Sequence, residues 1–156
     1  MRKIILLCGG LGTRVSDKYK KVPKCLIPIN GKPFLFHQLN LLKKYDFQEI
    51  IISINHLGSQ VEKYVSSIKT DLEISCIYDG KLSLGTGGAV NKIITKAGLT
   101  KSFFVMYGDS YLPFDFNPLF KFIENYNVED LMCVYKNQLS NHSNNVIMNK
   151  KNNVLL

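Results

Sequence analysis

The segment Ile5-Leu6-Leu7-Cys8 is apolar and passes straight into Gly9-Gly10-Leu11-Gly12-Thr13-Arg14. A strand of this kind, followed at once by three glycines, must leave a buried sheet through backbone almost bare of side chains. Lacking a Cβ, Gly9, Gly10 and Gly12 can reach positive φ and let a ligand lie against backbone amides. Amides turned inward in such a loop form an anion-binding concavity. Arg14 adds a planar fork of donors that fits phosphate oxygens in pairs. The chain has two arginines against eighteen lysines, so an arginine at this point is a specific choice. A turn without a ligand needs one or two glycines and no arginine. The loop reads as a phosphate cradle.

Three other glycine motifs are excluded. A dinucleotide fingerprint needs G-x-G-x-x-G, but after Gly10 and Gly12 the third position is Val15. No G-x-x-x-x-G-K-[ST] string exists for a Walker loop, and no G-x-S-x-G elbow for a serine hydrolase.

Strand patterns fall at Lys3–Cys8, Glu49–Ile54, Glu73–Tyr78, Phe103–Tyr107 and Leu131–Tyr135. Helical patterns lie between them at Pro33–Tyr45, Ser59–Ile68 and Gly85–Ala97, with a shorter one at Pro118–Tyr126. The first strands are continuous apolar runs, as expected where helices cover both sheet faces. This alternation predicts one α/β domain over residues 1–156: a three-layer α/β/α sandwich, Rossmann-like, on a mostly parallel sheet. Ligands of such sheets bind beyond the strands' carboxyl ends, where the glycine loop lies. After a polar connection at 137–145, Val146-Ile147-Met148 and Val154-Leu155-Leu156 read as a hairpin. Its second arm stops at the last residue, so further C-terminal sequence is expected.

At 46% hydrophobic and 21% charged, the composition is that of a soluble globular chain. No apolar run reaches the roughly 20 residues that span a bilayer, and the N-terminus has no signal-peptide pattern, so cytoplasm is expected and a membrane partner is not. The net charge of +8 comes from scattered lysines. Without an aromatic-interleaved basic ribbon, nucleic acid is not expected as a partner, although the positive field would attract a polyphosphate. Cys8, Cys25, Cys76 and Cys133 form no C-x-x-C pair, and four free thiols are expected. Cys8, Cys76 and Cys133 fall in strand patterns and read as small buried hydrophobes. His37, His56 and His142 have no metal-ligand spacing. A homo-oligomer stays open.

Three further segments share the chain with the glycine loop: Val22-Pro23-Lys24-Cys25-Leu26-Ile27-Pro28 with Asn30-Gly31-Lys32-Pro33, then Leu84-Gly85-Thr86-Gly87-Gly88-Ala89, then Tyr107-Gly108-Asp109. In this order and spacing the chain resembles the sugar-phosphate nucleotidyltransferases, most of all the heptose-1-phosphate and mannose-1-phosphate guanylyltransferases. The resemblance implies that a sugar 1-phosphate attacks the α-phosphorus of a nucleoside triphosphate, giving an NDP-sugar and pyrophosphate. Such a displacement needs positioning and charge neutralisation more than covalent help. The resemblance assigns nucleotide binding to Leu7, Gly9, Gly10, Gly12, Thr13, Gly85, Thr86 and Gly87, and catalytic contacts to Arg14, Lys24 and Asp109. Arg14 would stabilise the departing pyrophosphate, and Lys24, held between Pro23 and Pro28, would contact phosphate near the reaction centre. Asp109, at a strand's carboxyl end, is the expected Mg²⁺ ligand, since Mg²⁺ takes one or two carboxylates plus phosphate oxygens.

Two departures accompany the resemblance. Some members place a base-reading glutamine shortly before the Gly85 position, where this chain has Asp79-Gly80-Lys81-Leu82-Ser83. The family's later Glu and Lys near the sugar, and a second metal-binding Asp, would lie past Leu156. Two alternatives stay open: an alcohol-phosphate (phosphocholine-type) cytidylyltransferase on the same fold, and a truncated nucleotide-binding module without catalysis.

Overall fold

The computed structural model describes residues 2–10, 12, 17–80, 85–126, 128, 130–134, 146–148 and 154–155. They fall into two compact units, Met1–Phe116 and Asn117–Leu156. The first unit is built on a parallel sheet of four strands: β1 (Arg2–Leu7), β4 (Phe47–Ile54), β5 (Glu73–Tyr78) and β6 (Phe104–Tyr107), in the order β5-β4-β1-β6. Between β1 and β4 come a small hairpin, β2 (Pro28–Ile29) with β3 (Lys32–Pro33), and helix α1 (Phe34–Lys44). Helix α2 (Gly58–Ser67) joins β4 to β5, and α3 (Gly85–Ala97) joins β5 to β6.

Register explains why the strands are apolar throughout. Ile5 pairs with Ile51 on one side and Val105 on the other, so equivalent residues stack across the sheet. Ile5 and Ile51 form a buried cluster with Ile93 of α3, joined by Leu7, Ile77 and Val90. The alternate residues Ile4, Leu6, Ile50, Ile52 and Ile54 take the opposite face and are equally buried. Helix α1 buries Leu35, Leu39 and Leu42, one stripe at helical spacing, and packs on β4. Gly58, opening α2, lies against Ile54, where a Cβ would stand 3.1 Å from that side chain. The chain runs outward from β1 to β4 to β5 and then crosses back to β6. Parallel crossovers keep one hand, so this reversal sends α3 to the other face of the sheet. The three-layer α/β expectation holds.

Local chemistry sets the element ends. Asn30 (φ 49°) and Gly31 (φ 74°) both take positive φ, as the two-residue β2–β3 turn requires. Pro33 then caps α1, and the Phe34 N–H donates to the Ile27 carbonyl at 2.9 Å, satisfying one of the first-turn donors.

The second unit contains α4 (Asn117–Tyr126) and a short antiparallel pair, β7 (Ile147–Met148) with β8 (Val154–Leu155). The strand expected at Leu131–Tyr135 is not formed over 131–134, and Tyr135 lies outside the described residues. Leu131, Met132 and Val134 are exposed, and no described strand pairs with them. Among the described residues the apolar pattern has no paired neighbour to complete a ladder. The cysteine expectation also changes. All four thiols are free, but the fully buried one is Cys25, Cys133 is exposed, and Cys8 lies just past the end of β1.

Candidate active site

Strand order reverses at β1, with β4 on one side and β6 on the other. In open parallel sheets the crevice beyond such a reversal is where ligands bind. Here it is a cavity of about 230 Å³. Its walls come from the ends of β1 (Leu7 to Gly10), β4 (Ser53, Asn55), β5 (Asp79) and β6 (Tyr107 to Asp109). The short turn at Lys24–Cys25 and the start of α3 (Gly85, Thr86, Ala89) complete them.

The backbone is closely packed at two points of this rim, both held by glycine. A Cβ on Gly9 would stand 2.4 Å from Asp79 Oδ2 and 3.2 Å from Asn55 Cβ. A Cβ on Gly108 would stand 2.2 Å from Cys8 Sγ and 2.9 Å from the Leu7 carbonyl oxygen. The Gly108 N–H donates to that same carbonyl at 2.9 Å, which locks the end of β6 to the end of β1. Gly10 has open space where its Cβ would be and lines the cavity with bare backbone. Asp79, 8% exposed, accepts a short hydrogen bond from the Ser53 hydroxyl, and its main-chain carbonyl accepts one from Lys92 Nζ.

Across the mouth, Lys24 Nζ lies 3.3 Å from Asp109 Oδ2, although 85 residues separate them in sequence. Their side chains are 28% and 51% exposed, and a pair this wet contributes roughly 0–1 kcal/mol to stability. Its importance is chemical: one cation and one carboxylate stand at the edge of a glycine-walled cavity. Behind them the Cys8 and Cys25 thiols are hydrogen-bonded to each other. That bond, then burial, pushes the Cys8 thiol well up, while Cys25, stabilised as the acceptor, is held below the usual thiol value.

Of the sequence candidates, Leu7, Gly9, Gly10, Lys24, Gly85, Thr86 and Asp109 line this cavity together. Gly12 takes positive φ (68°) and is not among its walls; neither is Gly87, whose Cβ position is open. Thr13 and Arg14 lie outside the described residues. Sequence reasoning did not single out Ser53 or Asn55, gave Tyr107 no role of its own within the Tyr107-Gly108-Asp109 segment, and treated Asp79 only as the place of a missing glutamine. The signal for Asp79 was present: a lone carboxylate follows an apolar strand, as Asp109 follows β6.

A family model described as the MobA-like NTP transferase domain matches residues 4–149. The chain belongs to this family. The D-glycero-alpha-D-manno-heptose 1-phosphate guanylyltransferase of Campylobacter jejuni is 34% identical over 115 residues, which cover 74% of this chain and 51% of that protein. The mannose-1-phosphate guanylyltransferase catalytic subunit beta of Drosophila pseudoobscura is 31% identical over 137 residues, 86% of this chain and 37% of that one. Among solved structures, HddC from Yersinia pseudotuberculosis complexed with GMP-PN superposes with a TM-score of 0.69 at 28% identity, covering 80% of this chain and 55% of that one. The chain spans about half the length of the Campylobacter relative.

For an NTP transferase domain the donor set around Asp109 says what kind of metal fits. Among the described residues no group of three or more His, Cys, Asp or Glu side chains could hold a metal ion. One half-exposed carboxylate beside bare backbone suits Mg²⁺ carried in on a polyphosphate, which brings oxygens and waters of its own. No helix among the described residues is long and apolar enough to cross a membrane.

Proposed function

We propose that this chain forms the nucleoside-triphosphate site of a Mg²⁺-dependent nucleotidyltransferase that joins an NTP to a sugar 1-phosphate, giving an NDP-sugar and pyrophosphate. The observation that carries the reading is the convergence of Gly9, Gly10, Lys24 and Asp109 on one cavity at the β1–β6 crevice. In the reaction a phosphate oxygen of the sugar 1-phosphate forms a bond to the α-phosphorus. The bond from that phosphorus to the oxygen bridging to the β-phosphate breaks, and its electron pair leaves with pyrophosphate. The Gly9–Gly10 backbone holds the triphosphate. Lys24 neutralises charge on the reacting phosphates. Arg14, following the glycines in sequence, is assigned to the departing pyrophosphate. Asp109 would hold Mg²⁺, which when bound supplies Lewis-acid polarisation and a template for the phosphates. Fixed charges placed where charge develops are the main catalytic resource of such a site.

Guanine is the base this reading favours. Its N1–H and exocyclic amine present two adjacent donors, and a carboxylate such as Asp79, on the cavity wall, can accept from both. The Campylobacter and Drosophila relatives are guanylyltransferases by name. Calorimetric titration with GTP, UTP, CTP and dTTP, each with Mg²⁺, tests the base. Pyrophosphate release on adding hexose or heptose 1-phosphates tests the reaction. GTP binding about tenfold or more tighter than the others is expected, a difference corresponding to one or two hydrogen bonds. Equal binding of all four would remove Asp79 as the base reader, and no binding of any would remove the proposed function.

A further inference from the structure

Gln38 lies on α1 between Leu35 and Leu39 and is fully buried, at 0% exposure. Its Nε2 donates to the Tyr107 carbonyl at 3.2 Å and to the Ser110 carbonyl at 2.9 Å. Both partners are acceptors, so only the –NH₂ end of the amide can face them, and the orientation is fixed. Oε1 is left buried without a protein partner among the described residues. A buried orphan acceptor costs stability, and an apolar side chain of the same shape would avoid that cost. What glutamine alone supplies here is the pair of N–H donors.

Those two carbonyls bracket Gly108 and Asp109. The turn has little else to hold it. The Ser110 N–H reaches the Tyr107 carbonyl at 3.2 Å, and the Gly108 N–H reaches Leu7. β6 is an edge strand of the sheet, paired to β1 alone among the described strands. We infer that Gln38 is a positioning residue: its buried amide clamps the Tyr107–Ser110 turn and so aims the Asp109 carboxylate at Lys24 across the cavity mouth. The inference rests on the reading of Asp109 as the carboxylate that meets a metal–triphosphate.

The test uses Gln38→Met, which keeps length and apolar packing and removes both donors. Amide hydrogen exchange is read at Gly108, Asp109 and Ser110, with Ile50 to Ile52 of β4 as reference. GTP affinity is measured with Mn²⁺ and again in EDTA. Exchange in the turn is expected to rise about tenfold or more, with β4 unchanged, as suits the loss of two hydrogen bonds. Mn²⁺–GTP affinity should fall by a similar factor, with EDTA affinity within about twofold of the unmodified chain. Unchanged exchange in the turn overturns the inference. So does a general packing defect, in which β4 exchange rises and both affinities fall together. Asp109→Asn in the unmodified background separates the two readings. If it leaves Mn²⁺–GTP affinity intact, the assignment of Asp109 fails, while the exchange data still decide whether Gln38 holds the turn. Should Gln38→Met not fold, the unmodified chain answers directly: the Gln38 side-chain amide protons must be protected from exchange, and rapid exchange contradicts the clamp.

Discussion

Strands β1 and β4 bury Ile4 to Leu6 and Ile50 to Ile52 almost completely, whereas β6 leaves Val105 45% and Tyr107 54% exposed. Both regions supply walls of the same cavity. The Gly9 wall continues from strands packed on both faces, and its geometry follows from the core. The Asp109 wall ends an edge strand and is placed by a handful of polar contacts from Leu7, Gln38 and Lys24. The Asp109 carboxylate can therefore change its chemistry at little structural cost, whereas Gly108, packed against β1, and Gly9, packed against Asp79, are tied to the fold.

The largest expected effect breaks the chemistry and spares the fold. Asp109→Asn removes a half-exposed carboxylate and should lower metal-dependent activity at least about a hundredfold, the low end for a group that stabilises transition-state charge. Its unfolding free energy should change by no more than about 0.5 kcal/mol. Pyrophosphate release with varied Mg²⁺, beside a urea melt, checks both.

Gly108→Ala should do the reverse. The new Cβ meets Cys8 Sγ and the Leu7 carbonyl, and backbone that anchors β1 cannot step aside. A destabilisation of about 1–3 kcal/mol is expected from overpacking, read as a lower urea midpoint. Gly10→Ala sharpens the comparison: with open space around that Cβ, stability should stay within about 0.5 kcal/mol. Any loss there should appear in nucleotide affinity.

The smallest effect is a pH dependence. Burial, with Glu62 and Cys25 nearby, pushes the Cys76 thiol from 9.0 up to about 11. The unfolded thiol releases its proton first, so stability falls as pH rises between these values. Cys8, also pushed up, adds in the same direction. Cys76→Ala should flatten part of that slope in melts at successive pH values. An unchanged slope would show that the β5 thiol is not responsible.

Much of the fold was legible because its inner strands obey one rule. β5 and α3 begin and end where the sequence pattern puts them, and β1 and β4 differ by one or two residues at their ends. Runs buried on both faces and helices with a single apolar stripe leave few alternatives. Leu131 to Val134 carries the same kind of run and is not a strand, because a run becomes a strand only where a neighbour accepts its hydrogen bonds. The cysteines were misjudged for a related reason. Cys25 is buried by a short turn folding over the cavity, which periodicity does not encode. The candidate site was legible where glycines and strand-end charges cluster, at Gly9, Gly10, Lys24 and Asp109. Asp79 was marked by its place after an apolar strand, as Asp109 was, whereas Gln38 acts through a tertiary neighbour, the Tyr107–Ser110 turn, and nothing adjacent in sequence marks it.

The two walls can be tested together by titrating the isotopically labelled chain with Mn²⁺–GTP and reading paramagnetic broadening of the amide signals. If the triphosphate lies between the glycine loop and Asp109, the signals of Gly9, Gly10, Gly108 and Ser110 should broaden first, while those of α2 stay sharp. Asp109→Asn should remove the effect. Broadening centred elsewhere, or equal broadening throughout the chain, would contradict a metal–nucleotide site at the β1–β6 crevice.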